Sequence, residues 1–303
     1  MNKTSSQGPD VNEAGPASNP MGPASATMGP AIAFEAAGQM ESERLAASRA
    51  YWDMRAATFG GQCGKNSYID RLIGLLNLEP GASVLDMGCA TGTLALPLAR
   101  AGHKVLACDF SPKMLERLRE QASGEGLEID TRLLAWQDDW PQHGVTENCV
   151  DVAVASRSMS SGDVGAWARK LDSCARFVAA ATLSAGHIPA IDPRLMRALG
   201  RPVPKIQLVS RLVDELLEMG RYPSLHYIPC ERPMRFRDHD MALLELRKLA
   251  GKKPFSQEED ALFARYASGH FREEEEGGAP VWQLDYTLIA PWTLVMWSTE
   301  GAM

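Results

Sequence analysis

The chain has 303 residues, 45% hydrophobic and 23% charged, with a formal net charge of -7. It is long enough for one large core, or a core with an appendage, and its acidic balance excludes a whole-molecule attraction to nucleic acid. No apolar run approaches the ~20 residues of a membrane span. Six cysteines, at 63, 89, 108, 149, 174 and 230, form no C-x-x-C pair, so zinc-ligand spacing is absent and no metal site is expected. They read as free thiols of a reducing cytoplasm, with Cys89 and Cys108 behaving as small hydrophobes in or beside strands.

Residues 1–35 are expected to be a disordered tail. The run "SSQGPDVNEAGPASNPMGPASATMGP" cannot bury enough apolar surface to fold. One early lysine is followed by no apolar core, so a secretory signal is not expected. From Glu41, "ESERLAASRAYWDMRAATFGG" reads as a helix with Leu45, Trp52, Ala56 and Phe59 on one apolar face, ended by Gly60-Gly61. A second helix, "NSYIDRLIGLLNL", has Asn66 as candidate cap, and Pro80-Gly81 turns into a strand at Ser83–Met87.

Strands and helices then alternate. The spacing predicts a helix starting near Thr93, because Pro97 is tolerated only close to a helix start. Strands follow at Lys104–Cys108, Thr131–Ala135, Val150–Ala155 and Phe177–Leu183, with helices opening at Ser111-Pro112 and over Val164–Ala175. This is an α/β pattern: a doubly wound, mostly parallel sheet of Rossmann-like type. After Ser184 the pattern changes. "KIQLVSRLVDELLEMG" reads as an amphipathic helix, "SLHYIP" as a strand, Asp238–Gly269 as charged helix, and "REEEE" at Arg272–Glu276 as a solvated turn. The closing run "VWQLDYTLIAPWTLVMWS" reads as one or two strands. If it pairs with the strand near Tyr227, the helical stretch between them is an insertion above one end of the sheet.

The stretch "VLDMGCATGTLALPLARAGHKVLACDFS" carries the chemistry. A P-loop needs a lysine after its last glycine, and none is present. A dinucleotide turn needs G-x-G-x-x-G, whereas here the spacing is G-x-A-x-G with no glycine three residues on. Val84, Leu85, Asp86, Met87, Gly88, Cys89, Ala90, Thr91 and Gly92 instead resemble the first motif of class I S-adenosylmethionine-dependent methyltransferases, with Ala90 at the middle glycine. The resemblance covers roughly residues 45–185 and implies a sheet whose last strand is antiparallel. It divides residues 36–303 into an N-terminal helical lid (36–80), a cofactor-binding core (81–185), and a sheet completion with an acceptor-side insertion (186–303).

The resemblance also implies roles. Gly88 and Gly92 let backbone approach the cofactor's amino acid tail, and Asp86 orients its ammonium. Asp109 in "ACDFS", beside Phe110, stands where an acid accepts ribose hydroxyls. In "LLAWQDDW", Gln137 or Asp138 would meet the adenine amino group and Trp136 the ring, with the register open; Trp136 and Trp140 as ordinary core aromatics is the competing reading. "YWDMRAATF" resembles a lead-in helix in which Tyr51 and Arg55 share a face and reach the methionine carboxylate; a plain amphipathic helix is the alternative.

The acceptor is read after the fourth and fifth strands. [ND]-P-P-[YF], a loop cysteine nucleophile, a pair of glutamates and a set of oxygen metal ligands are all missing there. What stands there is Ser156, Arg157, Ser158 and His187. Ser156 is placed with the cofactor. Arg157 suits an acceptor carboxylate, against a structural salt bridge, and His187 suits a base near neutral pH, against a loop histidine without a role. His226 and Tyr227 are lesser candidates. The expected activity is methyl transfer from S-adenosylmethionine to a small-molecule acceptor. An RNA or protein methyltransferase, a non-catalytic cofactor-binding protein and a nicotinamide oxidoreductase are the alternatives.

Overall fold

In the computed structural model the described residues are 30–59, 67–159 and 162–300, with the side chains of 30–41 and 67 left out. The chain divides into two units, residues 1–47 and 48–303. Of the first unit the described part, 30–47, is wholly helical, so the helix expected from Glu41 already starts at Pro30. Residues 30–35 of the expected tail therefore belong to that helix; residues 1–29 lie outside the described residues, as do Cys63, Asn66 and the Gly60-Gly61 stop.

In chain order the elements are α1 (Pro30–Arg55), α2 (Ser67–Leu76), β1 (Ser83–Met87), α3 (Ala95–Arg100), β2 (Lys104–Asp109), α4 (Pro112–Gly124), β3 (Asp130–Leu133), β4 (Val150–Ser156), α5 (Val164–Cys174) and β5 (Ala175–Ser184). There follow β6 (Gly186–His187), α6 (Pro193–Ala198), β7 (Lys205–Ile206), α7 (Leu208–Glu218), β8 (Ser224–Arg232), β9 (Arg235–Phe236), α8 (His239–Lys248), α9 (Gln257–His270), β10 (Phe271–Glu276), β11 (Ala279–Leu284) and β12 (Leu288–Ser298). α3 opens at Ala95 rather than Thr93, which leaves Pro97 in its first turn, where its missing N–H is harmless.

The main sheet has the order β3-β2-β1-β4-β5-β12-β8. β12 runs antiparallel to both β5 and β8, and the other pairs are parallel. Side chains alternate between two cores, as the pleat requires. Leu85, Ala153 and Ala155 face α5 and α7 through Trp167, Leu171, Leu212 and Leu216. Val84, Val152 and Val154 face α2, α3 and α4 through Tyr68, Leu72, Leu98 and Leu118. Ser111 caps α4 as expected, its hydroxyl accepting from the Met114 amide at 3.2 Å.

The β8–β12 pairing makes residues 233–287 an insertion in a hairpin, as the sequence suggested, but it is not purely helical. It holds a three-stranded sheet, β10-β11-β9, beside α8 and α9. The "REEEE" run is strand β10, paired along its length with β11, not a turn. Its carboxylates are exposed on an edge strand, where charge discourages further strand pairing. α8, α9 and α6 share a third core around Leu195, Leu246, Phe263 and Tyr266. Arg201, 7% exposed, fastens the insertion. It holds Glu259 at 2.7 and 3.0 Å and donates to the carbonyls of Ala250, Lys253 and Pro254.

The glycine turn is set by packing. At Gly92, φ is +90° and an added Cβ would lie 2.3 Å from Leu118 Cδ1. Gly92→Ala should therefore lower the unfolding free energy by about 2–4 kcal/mol, read as a fall in the urea midpoint.

Candidate functional site

The parallel strands all end at one edge, where the glycine turn follows β1, Asp109 closes β2, and Ser156 and Arg157 close β4. Ala90 sits at φ 48°, the left-handed conformation that glycine holds most cheaply; this is why a middle glycine suits the motif and why alanine is the nearest substitute. Gly88, at φ +77°, has Ser158 where its Cβ would be, at 2.3 Å. The close approaches at Gly88 and Gly92 are thus to this chain's own side chains, not solely to a ligand. Ser158 Oγ donates to the Met87 carbonyl at 2.6 Å, tying the loop after β4 to β1.

The turn's donors are already engaged. The amides of Gly88 and Cys89 both donate to the Cys108 carbonyl, at 2.7 and 3.0 Å, and that of Gly92 donates to the Cys89 carbonyl at 2.9 Å. The Ala90 amide donates to Asp109 Oδ2 at 2.9 Å. None of these four remains to cradle a pyrophosphate, as a dinucleotide turn would require.

What the site offers is acceptors. Asp86 is 1% exposed, and neither carboxylate oxygen has a hydrogen-bond partner. The Ala95 amide and Arg157 lie close enough only to oppose in part the upward shift of its pKa. Burial, and next the Asp109 carboxylate, hold that pKa up at about 7. A buried orphan acid is costly unless a partner arrives, and an ammonium is such a partner. Asp109, 5% exposed, accepts from Ser111 N at 2.8 Å as well as from Ala90. Burial pushes its pKa up against those backbone hydrogen bonds. Two oxygens have about four lone-pair positions, so Asp109 keeps capacity for ribose hydroxyls. These residues fit the amino acid tail and ribose of S-adenosylmethionine.

Arg157 has φ 58°, an uncommon conformation for a side chain of this size. Its amide donates to Thr182 Oγ1 at 2.8 Å, and Tyr68 OH bonds both Thr182 Oγ1 at 2.7 Å and Ser156 Oγ at 3.0 Å. The guanidinium lies 4.4 Å over the Tyr68 ring and 5.9 Å from that of Trp292. It makes no ion pair among the described residues, so the salt-bridge alternative is not what the fold uses. Sequence reasoning missed Tyr68 and Thr182, which stand far from Arg157 in the chain and meet it only across the sheet.

Tyr51 and Arg55 are not brought to the turn. Tyr51 is 48% exposed and pairs with Arg55 at 3.3 Å on an exposed face. On α1 the residue that reaches the strand ends is Asp53, which accepts from Ser111 Oγ at 2.5 Å. Tyr51 and Arg55 both lie about 200° round the helix from it. The aspartate of the "W-D" pair was the available signal. Trp136 is 9% exposed and stacks on Trp167 at 4.9 Å, so it is a core aromatic, not a free platform for an adenine. Asp138 accepts from the Ala135 amide at 2.8 Å, Gln137 is exposed, and Phe110 is half-buried beside Asp109. The Cys89 side chain is 3% exposed and belongs to the core around Val84. His187 lies on the short β6 strand with Nδ1 3.0 Å from the Ile188 carbonyl. A carbonyl only accepts, so Nδ1 is the donor of this contact, and Nε2 is the ring nitrogen not engaged in it.

Residues 84–180 match the family model described as a methyltransferase domain. A Haemophilus influenzae protein of uncharacterized function is 31% identical over 189 residues, covering 59% of this chain and 66% of its own length. A 23S rRNA (uracil(1939)-C(5))-methyltransferase of Alkalilimnicola ehrlichii is 34% identical over 89 residues, covering 27% of this chain and 20% of its own. The chain thus spans just under two thirds of the first relative and a fifth of the second. A solved structure from Bacillus halodurans C-125, provisionally assigned as a methyltransferase, superposes with a TM-score of 0.50 at 12% identity, over 76% of this chain and 98% of that one. At that identity the likeness is one of fold.

Protonation of Asp86 below about pH 7 removes the charge that meets an ammonium. Affinity for S-adenosylmethionine should therefore fall as the pH is lowered through that value, and calorimetric titration of Asp86→Asn should show a pH-flat profile with affinity at least roughly tenfold lower (about 1.4 kcal/mol). The raised pKa also means that Asp86 stabilises the fold only when protonated, an effect lost as pH rises from the ordinary carboxylate range through about 7. Above that pH the ligand-free Asp86→Asn protein should be more stable than wild type by on the order of 2 kcal/mol, seen as a higher Tm.

Proposed function

We propose, taking as premise that residues 84–180 form a class I S-adenosylmethionine-dependent methyltransferase domain, that the whole protein transfers a methyl group to a small-molecule acceptor. The observation that carries this reading is the orphaned Asp86 carboxylate beneath a turn in which the amides of Gly88, Cys89, Ala90 and Gly92 are engaged. Such a site favours a ligand that brings an ammonium and hydroxyls over one that brings phosphates.

When bound, the cofactor supplies a methyl carbon on a sulfonium, open to in-line attack. Asp86 would hold the ammonium and Asp109 the ribose hydroxyls. Arg157, pinned between Tyr68 and Trp292, would pair with a carboxylate at the end of β4, and its fork suits two parallel hydrogen bonds. His187 Nε2 would take the proton of an acceptor that must lose one. Most of the rate enhancement would come from positioning and from the exclusion of water.

A small acceptor is favoured by how the basic cluster in residues 245–253 is arranged. Arg247 pairs with Asp260 and lies 3.9 Å over the Phe255 ring, and Lys248 pairs with Glu245. Two of the cluster's four positive charges are thus offset locally, which weakens its pull on a polyanion. The rRNA relative methylates a uracil carbon, chemistry that needs a cysteine nucleophile; the loops after β4 and β5 have none.

Incubation with methyl-labelled S-adenosylmethionine and separated small-molecule, RNA and protein fractions of a cell extract should place label in the small-molecule fraction. Label in RNA or protein would overturn the acceptor reading. Calorimetric heat with NADH and none with S-adenosylmethionine would overturn the premise itself.

A further inference from the structure

At the same edge of the sheet lies a cavity of about 200 Å³, apart from the glycine turn. Its wall includes Arg194, Arg197 and Arg232, with Asp192 and Tyr286. It is formed where β8 ends and β12 begins, since Leu288 pairs with Arg232, and it takes Pro189 from the segment that follows β5.

The charge here is one-sided. Asp192 is 1% exposed, but its carboxylate is satisfied by other groups. Oδ1 accepts from the Arg194 amide at 2.8 Å, and Oδ2 accepts from the Tyr286 hydroxyl. Tyr286 is held in turn by the Tyr266 hydroxyl at 2.7 Å. None of the three arginines forms an ion pair among the described residues. Arg232 gives one N–H to the Pro189 carbonyl at 2.7 Å. The Arg194 guanidinium carbon lies over the Tyr286 ring, 4.3 Å from its centroid. No hydrogen bond from the side chain of Arg194 or Arg197 is made to any described residue. Three guanidinium groups around one small cavity repel one another, and one carboxylate offsets only a third of their charge. Arginine forks with free donors on a concave wall are the usual means of gripping carboxylate or phosphate.

We propose that this cavity binds the oxyanion of the methyl acceptor, a phosphate or a carboxylate pair, through Arg194, Arg197 and Arg232. The proposal rests on the small-molecule reading above and narrows it to acidic acceptors. Its place in the fold sets a length. Trp292, whose ring neighbours Arg157, lies on β12 about 14 Å from Leu288 at the strand's rise. An acceptor that reaches from Arg157 to the cavity is therefore extended, with its acidic group remote from the methylated atom.

The test is calorimetric titration of the full chain at low ionic strength with inorganic phosphate and, separately, with succinate, and in parallel with S-adenosylmethionine. Wild type should bind at least one of the two anions saturably. Arg197→Gln and the Arg194→Gln/Arg197→Gln pair should weaken that anion at least roughly tenfold while leaving S-adenosylmethionine affinity within about twofold, which also shows that they are folded. Phosphate alone would point to a phosphorylated acceptor, and succinate alone to a dicarboxylate. Saturation by neither anion, or equal affinity in wild type and variants, would overturn the proposal. Loss of S-adenosylmethionine binding in wild type would instead overturn the methyltransferase reading, and the anion titration would still be decided on its own.

Discussion

Asp109 holds two backbone amides with one carboxylate, Ala90 N at 2.9 Å and Ser111 N at 2.8 Å. One belongs to the turn after β1 and the other to the cap of α4, so a single side chain fixes two loops against each other. Ser111 in turn donates to Asp53, which brings the end of α1 to the same point. Hydrogen bonds from amides to a buried carboxylate are stronger than neutral ones, and this one explains why the turn stays in a conformation that puts Ala90 at positive φ. The turn's donors are consumed in the process. What the Asp86 and Asp109 carboxylates add to the site is oxygen acceptors.

The same edge of the sheet carries an electrostatic tension. Asp86 and Asp109 are both buried, and the Asp109 carboxylate raises the free energy of ionising Asp86. Arg157 stands near enough to relieve Asp86 in part, yet it is held on the faces of Tyr68 and Trp292 instead of against a carboxylate. Such strain persists where rigid surroundings determine it. Here the surroundings are three adjacent strands, Ser158 bonded across to Met87, and the Tyr68 hydroxyl bridging Ser156 and Thr182. A bound cation at Asp86 would relieve the tension, so stability of the empty protein and affinity for its ligand draw on the same residue.

The insertion between β8 and β12 adds a second layer with a core of its own. Arg201 secures it by filling all its donors with Glu259 and three carbonyls, and that hydrogen bonding pulls Glu259 down to about 2. Arg201 is thus a satisfied structural cation. Arg194 and Arg197, a few residues earlier, are exposed and make no side-chain hydrogen bond to any described residue, and the contrast is what marks their cavity.

The sequence by itself determined the alternation of strands and helices, the Ser111 cap, and the likeness of residues 84–92 to the methyltransferase turn. These follow from local rules: period, capping chemistry, and glycine at positive φ. It misread the "REEEE" run as a turn, because strand β10 is held by its ladder to β11 and not by the propensity of glutamate. It left Trp136 open between a ligand platform and a core aromatic, and Tyr51 with Arg55 open between site residues and the face of a plain amphipathic helix. The stacking of Trp136 on Trp167 and the choice of Asp53 as the inward residue of α1 depend on what packs against them. Only the tertiary structure decided that four of the turn's amides are engaged, that Asp86 has no hydrogen-bond partner among the described residues, and that Arg232 of β8 meets Arg194 and Arg197 of α6 at one cavity. Each of these is a relation between residues distant in the chain, and a hydrogen bond or its absence is a property of the pair, not of either residue alone.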